Sequence, residues 1–165
     1  MTRIALAGHE VLATSEVDCA DPNQHSRNRK SLYVDPVAWL AVEVADRALA
    51  QIPEVTAAGE DTAVLAISAH CTIATMRSIA ERIRSGRLSP LRFTGANPGL
   101  LAGAVCLERQ LRGPSLTLTM PPELGRDTAL VVAEGWLRSG QARYVLLITH
   151  ELRGVDHVAS CAVLE

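Results

Sequence analysis

Residues 113–125, Gly-Pro-Ser-Leu-Thr-Leu-Thr-Met-Pro-Pro-Glu-Leu-Gly, decide the fold that we expect for this chain. The run 115–120 predicts a strand, two prolines end it, and a long amphipathic helix is predicted over 126–139. Many α/β enzymes hold a nucleophile between such a strand and helix, because the free N–H groups of the helix N-terminus stabilise a thiolate or an oxyanion. Here the turn carries two prolines and Glu123, so it has the position for such chemistry but not the residue.

Composition narrows the class of protein. At 165 residues we expect one domain spanning 1–165, with a core of Ala, Val, Leu and Ile because the chain is 48% hydrophobic but only 3% aromatic. A formal net charge of −2 gives no reason to expect nucleic acid or an anionic membrane as a partner. Four scattered cysteines predict a reducing cytoplasm, and they lack metal-ligand spacing, so neither a metal nor a cofactor is expected: Cys19, Cys71, Cys106 and Cys161.

Hydrophobic periodicity predicts a domain that alternates strands and helices. The strands are expected at 3–13, 62–68, 115–120, 144–149 and 158–164. The helices are expected at 36–51, between Cys71 and Gly86, at 98–111 and at 126–139, with a polar surface loop over 14–33. This order predicts an α/β fold with a mainly parallel sheet and helices on both faces. The short loop near Gly154 makes the last strand antiparallel, and polar–apolar alternation in 115–120 indicates an edge strand.

Four segments, in their order and spacing, resemble the N-terminal half of a β-ketoacyl synthase, a member of the thiolase-like superfamily. They are 97–103, 111–118, 133–142 and 145–148. In that family a helix ends in Leu-Arg-Gly-Pro-Asn, and a strand then leads into a Thr-Ala-Cys-Ala-Ser nucleophile turn; here residues 111–115 read Leu-Arg-Gly-Pro-Ser. The resemblance implies a single thiolase-like half whose five-stranded sheet has the order 3-2-1-4-5, with strands numbered along the chain.

This chain departs from the family at the positions that carry catalysis. Counted from Gly113-Pro114, the family's cysteine falls on Pro122, which has neither a nucleophile nor a backbone N–H. The family's two catalytic histidines and its lysine lie in a C-terminal half, whereas this chain stops at Glu165. The resemblance therefore implies a truncated ketosynthase-like domain without ketosynthase activity. Its expected role is a non-catalytic, chain-length-factor-like accessory subunit of polyketide or fatty-acid-type biosynthesis.

The resemblance also implies partners. In the family, the strand before the nucleophile pairs with its counterpart across a two-fold axis, so we expect a homodimer or a heterodimer with a ketosynthase. The implied interface residues are Ser115, Leu116, Thr117, Leu118, Thr119 and Met120. A pocket for an acyl chain is implied near that axis, lined by Phe93, Thr94, Asn97 and Leu101. The basic cluster Arg27, Arg29 and Lys30 is a candidate contact for an acidic acyl carrier protein, with an ordinary solvated loop as the alternative interpretation.

An alternative interpretation is a small enzyme with relocated chemistry, namely acyl transfer, hydrolysis or cyclisation of a polyketide intermediate. Its candidate catalytic residues are His70, Cys71, Glu123 and His150. His70-Cys71 and His150 follow predicted strands, at the rim where open α/β sheets bind ligands, and a Cys–His pair can generate a thiolate. Adjacent residues of an extended chain point to opposite sides, which argues against a direct pair between His70 and Cys71. Ordinary loop packing, or a rebuilt turn at Glu123, accounts for the same residues without chemistry.

Overall fold

The computed structural model describes residues 4–6, 8–28, 33–87 and 89–165. Its strands are β1 (Ile4–Leu6), β2 (His9–Cys19), β3 (Thr62–Ser68), β4 (Ser115–Leu118), β5 (Tyr144–Arg153) and β6 (Asp156–Leu164). Its helices are α1 (Pro36–Leu49), α2 (Pro53–Ala57), α3 (Ile73–Arg84), α4 (Leu91–Thr94), α5 (Leu100–Arg109) and α6 (Pro122–Arg138). Among the described residues, no helix is both long enough and apolar enough to cross a membrane.

The strands form one sheet in the order β1-β2-β6-β5-β3-β4. The α/β class and the antiparallel last strand are confirmed, and β4 lies at the predicted edge. The predicted five strands, their order 3-2-1-4-5 and the mainly parallel character are wrong. Only β3–β4 and β3–β5 are parallel pairs, whereas β1–β2, β2–β6 and β5–β6 are antiparallel.

The first apolar run accounts for most of the difference between the predicted and the observed strand order. Gly8, with φ of 91°, reverses the chain inside the predicted strand 3–13, so that β1 and β2 form a hairpin instead of one central strand. β2 then continues to Cys19, into the predicted loop 14–33, and pairs with β6. The apparently polar segment is a strand because every second side chain enters the core: Ala13, Val17 and Cys19 are buried.

Helices cover both faces of the sheet, as the alternating pattern predicted. On one face α1 and α5 pack over the sheet, and the fully buried side chains Trp39, Leu101 and Ile148 form the centre of that core. α1 begins at its predicted cap, because the Asp35 carboxylate accepts the Val37 N–H at 2.9 Å. On the other face α6 lies against β3 and β5.

The decisive stretch folds as strand, turn and helix, with shifted boundaries. β4 ends at Leu118, two residues before the prediction, and α6 begins at Pro122, four residues before the predicted Arg126. Proline is favoured at the first helical position, since its missing N–H would have no partner there and its φ already suits a helix. Gly125 then lets α6 approach the sheet, because a Cβ there would lie 2.7 Å from Ile67 Cγ2.

Candidate functional site

A cleft of about 220 Å³ opens where β3 and β5 end and α6 begins. Eight residues line it: Ala69, His70, Pro121, Pro122, Glu123, His150, Glu151 and Leu152. Because Ser68 lies opposite His150 in the parallel pair β3–β5, the segments that follow these two strands meet at one rim of the sheet. The structure thus brings together His70, His150, Glu123 and Pro122, the residue onto which the family resemblance placed the nucleophile. It does not bring Cys71 into this cleft.

His150 is the most constrained of these side chains. Its side chain is 1% exposed, and both ring nitrogens have partners: Ser68 Oγ lies 2.8 Å from Nδ1, and His157 Nδ1 lies 2.9 Å from Nε2. Ser68 Oγ already accepts the backbone N–H groups of His70 at 3.1 Å and Cys71 at 3.0 Å. Its hydroxyl proton is therefore donated to His150 Nδ1, which leaves the His150 proton on Nε2 for donation to His157.

The surroundings of His150 and His157 favour the neutral form of both imidazoles. Burial lowers the pKa of His150 to about 3, and the nearby His157 and His70 act in the same direction. Burial also lowers the pKa of His157. The path from Ser68 through His150 to His157 is thus a neutral relay that runs from the core towards the surface. Ser68 is fully buried, so it orients His150 and is not an accessible nucleophile.

Cys71 has the wrong environment for a nucleophile. Its thiol is buried and donates to the Ser68 carbonyl oxygen at 3.0 Å, and burial raises its pKa. Its backbone has φ of 38°, which turns the chain between β3 and α3 and directs His70 and Cys71 to different surroundings. As expected from the sequence, the two residues do not pair directly. Burial likewise raises the pKa of the three other free thiols, Cys19, Cys106 and Cys161.

Three further polar side chains line the cleft. Glu123 is exposed in the first turn of α6, where a carboxylate is favoured by the helix dipole. Glu151 forms an ion pair with Arg153 at 2.6 Å. His70 Nδ1 is buried and has no hydrogen-bond partner. Within the described ranges, no three His, Cys, Asp or Glu side chains are grouped to hold a metal ion.

Strand β4 pairs on one side with β3, and no other described strand pairs with its second side. Val64 N–H donates to the Pro114 carbonyl at 3.0 Å, which sets the ladder with β3. In a parallel ladder this register turns the backbone groups of alternate residues away from β3, so Thr117 presents its N–H at the free edge. Thr117 Oγ1 accepts the Ala102 N–H at 3.4 Å, which anchors β4 on α5.

The residues expected to line an acyl pocket differ in their exposure. Phe93 is 51% exposed, Thr94 and Asn97 are also exposed, and Leu101 is fully buried in the core under α5. Of the basic cluster, Arg27 is already paired with Glu43 and Asp46, at 3.2 and 3.0 Å. Arg29 and Lys30 lie outside the described residues.

Sequence reasoning missed two members of the histidine relay. Ser68 is the last residue of a correctly predicted strand. A hydroxyl side chain at the end of a buried strand could have indicated a hydrogen bond to a residue at the same rim of the sheet. His157 gave no signal, because it reaches His150 only through the antiparallel pairing of β5 and β6, in which Leu152 lies opposite His157.

Comparison with known proteins agrees with this architecture. Residues 6–146 match the family described as "Beta-ketoacyl synthase, N-terminal domain". No curated protein sequence matches the chain significantly. Among solved structures, the ishigamide ketosynthase/chain length factor aligns with a TM-score of 0.70 and 16% identity, over 88% of this chain and 47% of that one.

Two further structures are complexes. A ketosynthase with its chain length factor from Xenorhabdus doucetiae aligns with a TM-score of 0.70 and 12% identity, over 95% of this chain and 78% of that one. A type II polyketide synthase acyl-carrier protein in complex with its ketosynthase aligns with a TM-score of 0.68 and 15% identity. That alignment covers 88% of this chain and 50% of the other. The chain thus spans about half the length of the ishigamide chain and of this last one.

Proposed function

Because this chain belongs to the β-ketoacyl synthase N-terminal domain family, we propose that it is a non-catalytic ketosynthase-like subunit of polyketide or fatty-acid-type biosynthesis. The observation that carries the proposal is the turn at the start of α6. There the strand–turn–helix frame is kept, but Pro122 stands at the position that the resemblance assigns to the family's nucleophile, and Cys71 is buried outside the cleft. Because no cysteine lines this cleft, we infer that the domain acts through association.

The free edge of β4 is the surface proposed for that association. It exposes unpaired backbone groups, and an edge strand of this kind pairs readily with another strand. Two of the related structures combine a ketosynthase with a chain length factor. By analogy, β4 adds to the corresponding strand of a ketosynthase or of a second copy. Phe93, Thr94 and Asn97 are exposed on the same chain, and they shape an acyl pocket only when the partner closes over them.

A proline in β4 tests this interface. Thr117→Pro removes the N–H at the free edge, so the ladder across the interface loses a hydrogen bond whose acceptor stays buried. Such a loss costs about 1–3 kcal/mol, so we expect the dissociation constant for a ketosynthase from the same organism to rise roughly 5- to 150-fold. Co-purification and calorimetric titration measure this change.

Thr117→Val is the matched control. It keeps the N–H and the branched shape, and it removes only the hydroxyl that accepts the Ala102 N–H. We expect it to bind like the wild type. Equal binding by the proline and valine variants, both folded by circular dichroism, would refute the β4 interface.

The cleft supports a second candidate function, a small enzyme with relocated chemistry. The specific observation is that His70, Glu123 and His150 line one cavity, with an unpartnered nitrogen on His70. In this alternative His70 transfers a proton to or from a polyketide intermediate during acyl transfer, hydrolysis or cyclisation. The hydrogen bonds from Ser68 through His150 to His157 keep the rim of the cleft in place. His70→Asn and Glu123→Gln would then abolish product formation, whereas in the accessory role they would leave the partner's products unchanged.

A further inference from the structure

A cavity of about 210 Å³ lies where α3 and α4 meet the segment that leads into α1. Val34 and Thr75 are buried in its wall, and the half-buried side chains of Tyr33, Ser78 and Arg92 also line it. A single ordered water needs only about 10–15 Å³ of such space, so the cavity admits a ligand of several atoms. It shares no lining residue with the cleft at the ends of β3 and β5.

Arg92 is held in this cavity by two contacts. Its guanidinium carbon lies 4.3 Å from the centre of the Tyr33 ring, and its Nη1 donates to Ser78 Oγ at 3.3 Å. The tyrosine ring thus covers one face of the guanidinium, and the remaining N–H groups of Arg92 have no hydrogen-bond partner among the described residues. Because the guanidinium is already held in one orientation, it loses less side-chain entropy on binding an oxyanion than a mobile arginine does.

No described carboxylate neutralises this guanidinium. Among the described residues that line the cavity, none is acidic. Asp35 is fully buried nearby, but its two oxygens accept the backbone N–H groups of Val37 at 2.9 Å and of Thr75 at 2.8 Å. Asp21 is exposed to solvent. The positive charge of Arg92 is therefore available to a ligand.

The surroundings of the cavity favour an anion. Residues 73–92, which include α3 and the start of α4, contain five arginines and one glutamate, whereas the whole chain has a formal net charge of −2. A local positive field of this kind concentrates anions near the cavity. The hydroxyl of Ser78 accepts a hydrogen bond from Arg92, and neither it nor the hydroxyl of Thr75 donates to a described residue. Both hydroxyl protons can therefore be donated to the same anion.

We propose that this cavity binds a phosphate group, either free or carried by a small ester. Arg92 donates to two phosphate oxygens in the bidentate geometry that guanidinium groups form with phosphate, and the hydroxyls of Ser78 and Thr75 donate to a third oxygen. A carboxylate has only two oxygens, and the guanidinium would use both, so phosphate matches the full set of donors better. The bound anion connects α3 to α4. This site is independent of whether the proposed function is right.

The test is a calorimetric titration of the full chain with sodium phosphate at pH 7.5, with sodium chloride keeping the ionic strength constant because salt screens charges. We expect one site per chain with a millimolar or tighter dissociation constant. Arg92→Gln should raise that constant at least tenfold. Arg84→Gln is the matched control, since Arg84 is an exposed arginine of the same basic segment that does not line the cavity; it should bind phosphate within twofold of the wild type.

Two milder variants keep the test valid if Arg92→Gln does not fold by circular dichroism. Arg92→Lys keeps the charge but loses the bidentate geometry, and Ser78→Ala loses one hydroxyl, so each should weaken binding at least threefold. Tighter binding of glycerol 3-phosphate than of inorganic phosphate would assign the site to an ester, and tighter binding of inorganic phosphate to the free ion. No saturable binding up to 20 mM phosphate, equal losses in Arg92→Gln and Arg84→Gln, or acetate binding as tight as phosphate would overturn the proposal.

Discussion

Replacing Gly113 by alanine should destabilise the protein by roughly 3 kcal/mol, since forcing extra atoms into a close-packed site typically costs 1–3 kcal/mol and occasionally more. A Cβ at this position would lie 2.6 Å from the Thr62 carbonyl oxygen and 2.9 Å from Ala63 N. Both atoms belong to the backbone of β3, and Thr62 is fully buried. The added methyl group can be accommodated only if the loop before β4 moves away from β3, which breaks the bond from Val64 N–H to the Pro114 carbonyl.

Thermal and urea unfolding measure this effect. For a chain of this size, about 3 kcal/mol corresponds to a melting temperature roughly 6–12 °C lower. Gly103→Ala is the control, because a Cβ there would meet only Leu100 Cδ2 at an ordinary 3.7 Å, inside helix α5. That variant should gain about 0.5–1 kcal/mol from its better helix propensity. A Gly113→Ala protein as stable as the wild type would contradict the described contact between this loop and β3.

Stability should fall steeply with acidification, and His150 should be a main cause. The pKa of His150 is lowered to about 3 in the folded protein, from about 6.5 in the unfolded chain. Between these values the unfolded state binds a proton that the native state does not. The free energy of unfolding therefore falls as pH decreases, by about 1.4 kcal/mol per pH unit below pH 6.5, and is unaffected by this group above it. Summed down to pH 3, the loss approaches roughly 5 kcal/mol.

His150→Gln removes this titration and keeps an amide that can bond to Ser68 and His157. It should be less stable than the wild type at pH 7.5, by about 1–2 kcal/mol, because buried hydrogen bonds are remade imperfectly. Its stability should nevertheless change less between pH 6.5 and 5, a window above the titration of most carboxylates. Urea unfolding at pH 7.5, 6.5, 5.8 and 5.0 gives the slope of the free energy of unfolding against pH for the wild type and for the variant. Parallel slopes for the two proteins would show that His150 is not held neutral in the folded state.

The sequence predicted the parts of the fold that depend on local patterns. The continuous apolar run 62–68 is β3, buried at every position, and Asp35-Pro36 begins α1 as expected. The edge position of β4 also followed from its alternating residues. Strand pairing is not a local property, however. Nothing in the composition of the first run revealed that Gly8 would fold it back, or that β2 would pair with β6 at the far side of the sheet.

The residues of the candidate site were predicted one by one, and the structure showed which of them lie together in one cleft. His70 and His150 could be placed at strand ends, but their meeting at one cleft depends on β3 and β5 being direct neighbours. The predicted order placed the first strand between them, which would have kept the two histidines apart. The unsuitability of Cys71 was not readable either, because it follows from burial and from the bond to the Ser68 carbonyl.

In the proposed role this ketosynthase-like chain has no group that forms a thioester while it is folded. Intact-mass spectrometry after incubation of the purified protein with a soluble acyl N-acetylcysteamine thioester at pH 7.5 tests it most directly. Cys106→Ser serves as the background, because among the described thiols Cys106 alone is half-buried whereas the others are buried, and the same protein in urea confirms that its thiols can react. We predict no added mass on the native chain. A stoichiometric acyl adduct on the native protein that disappears in Cys71→Ser or His70→Asn would contradict the account.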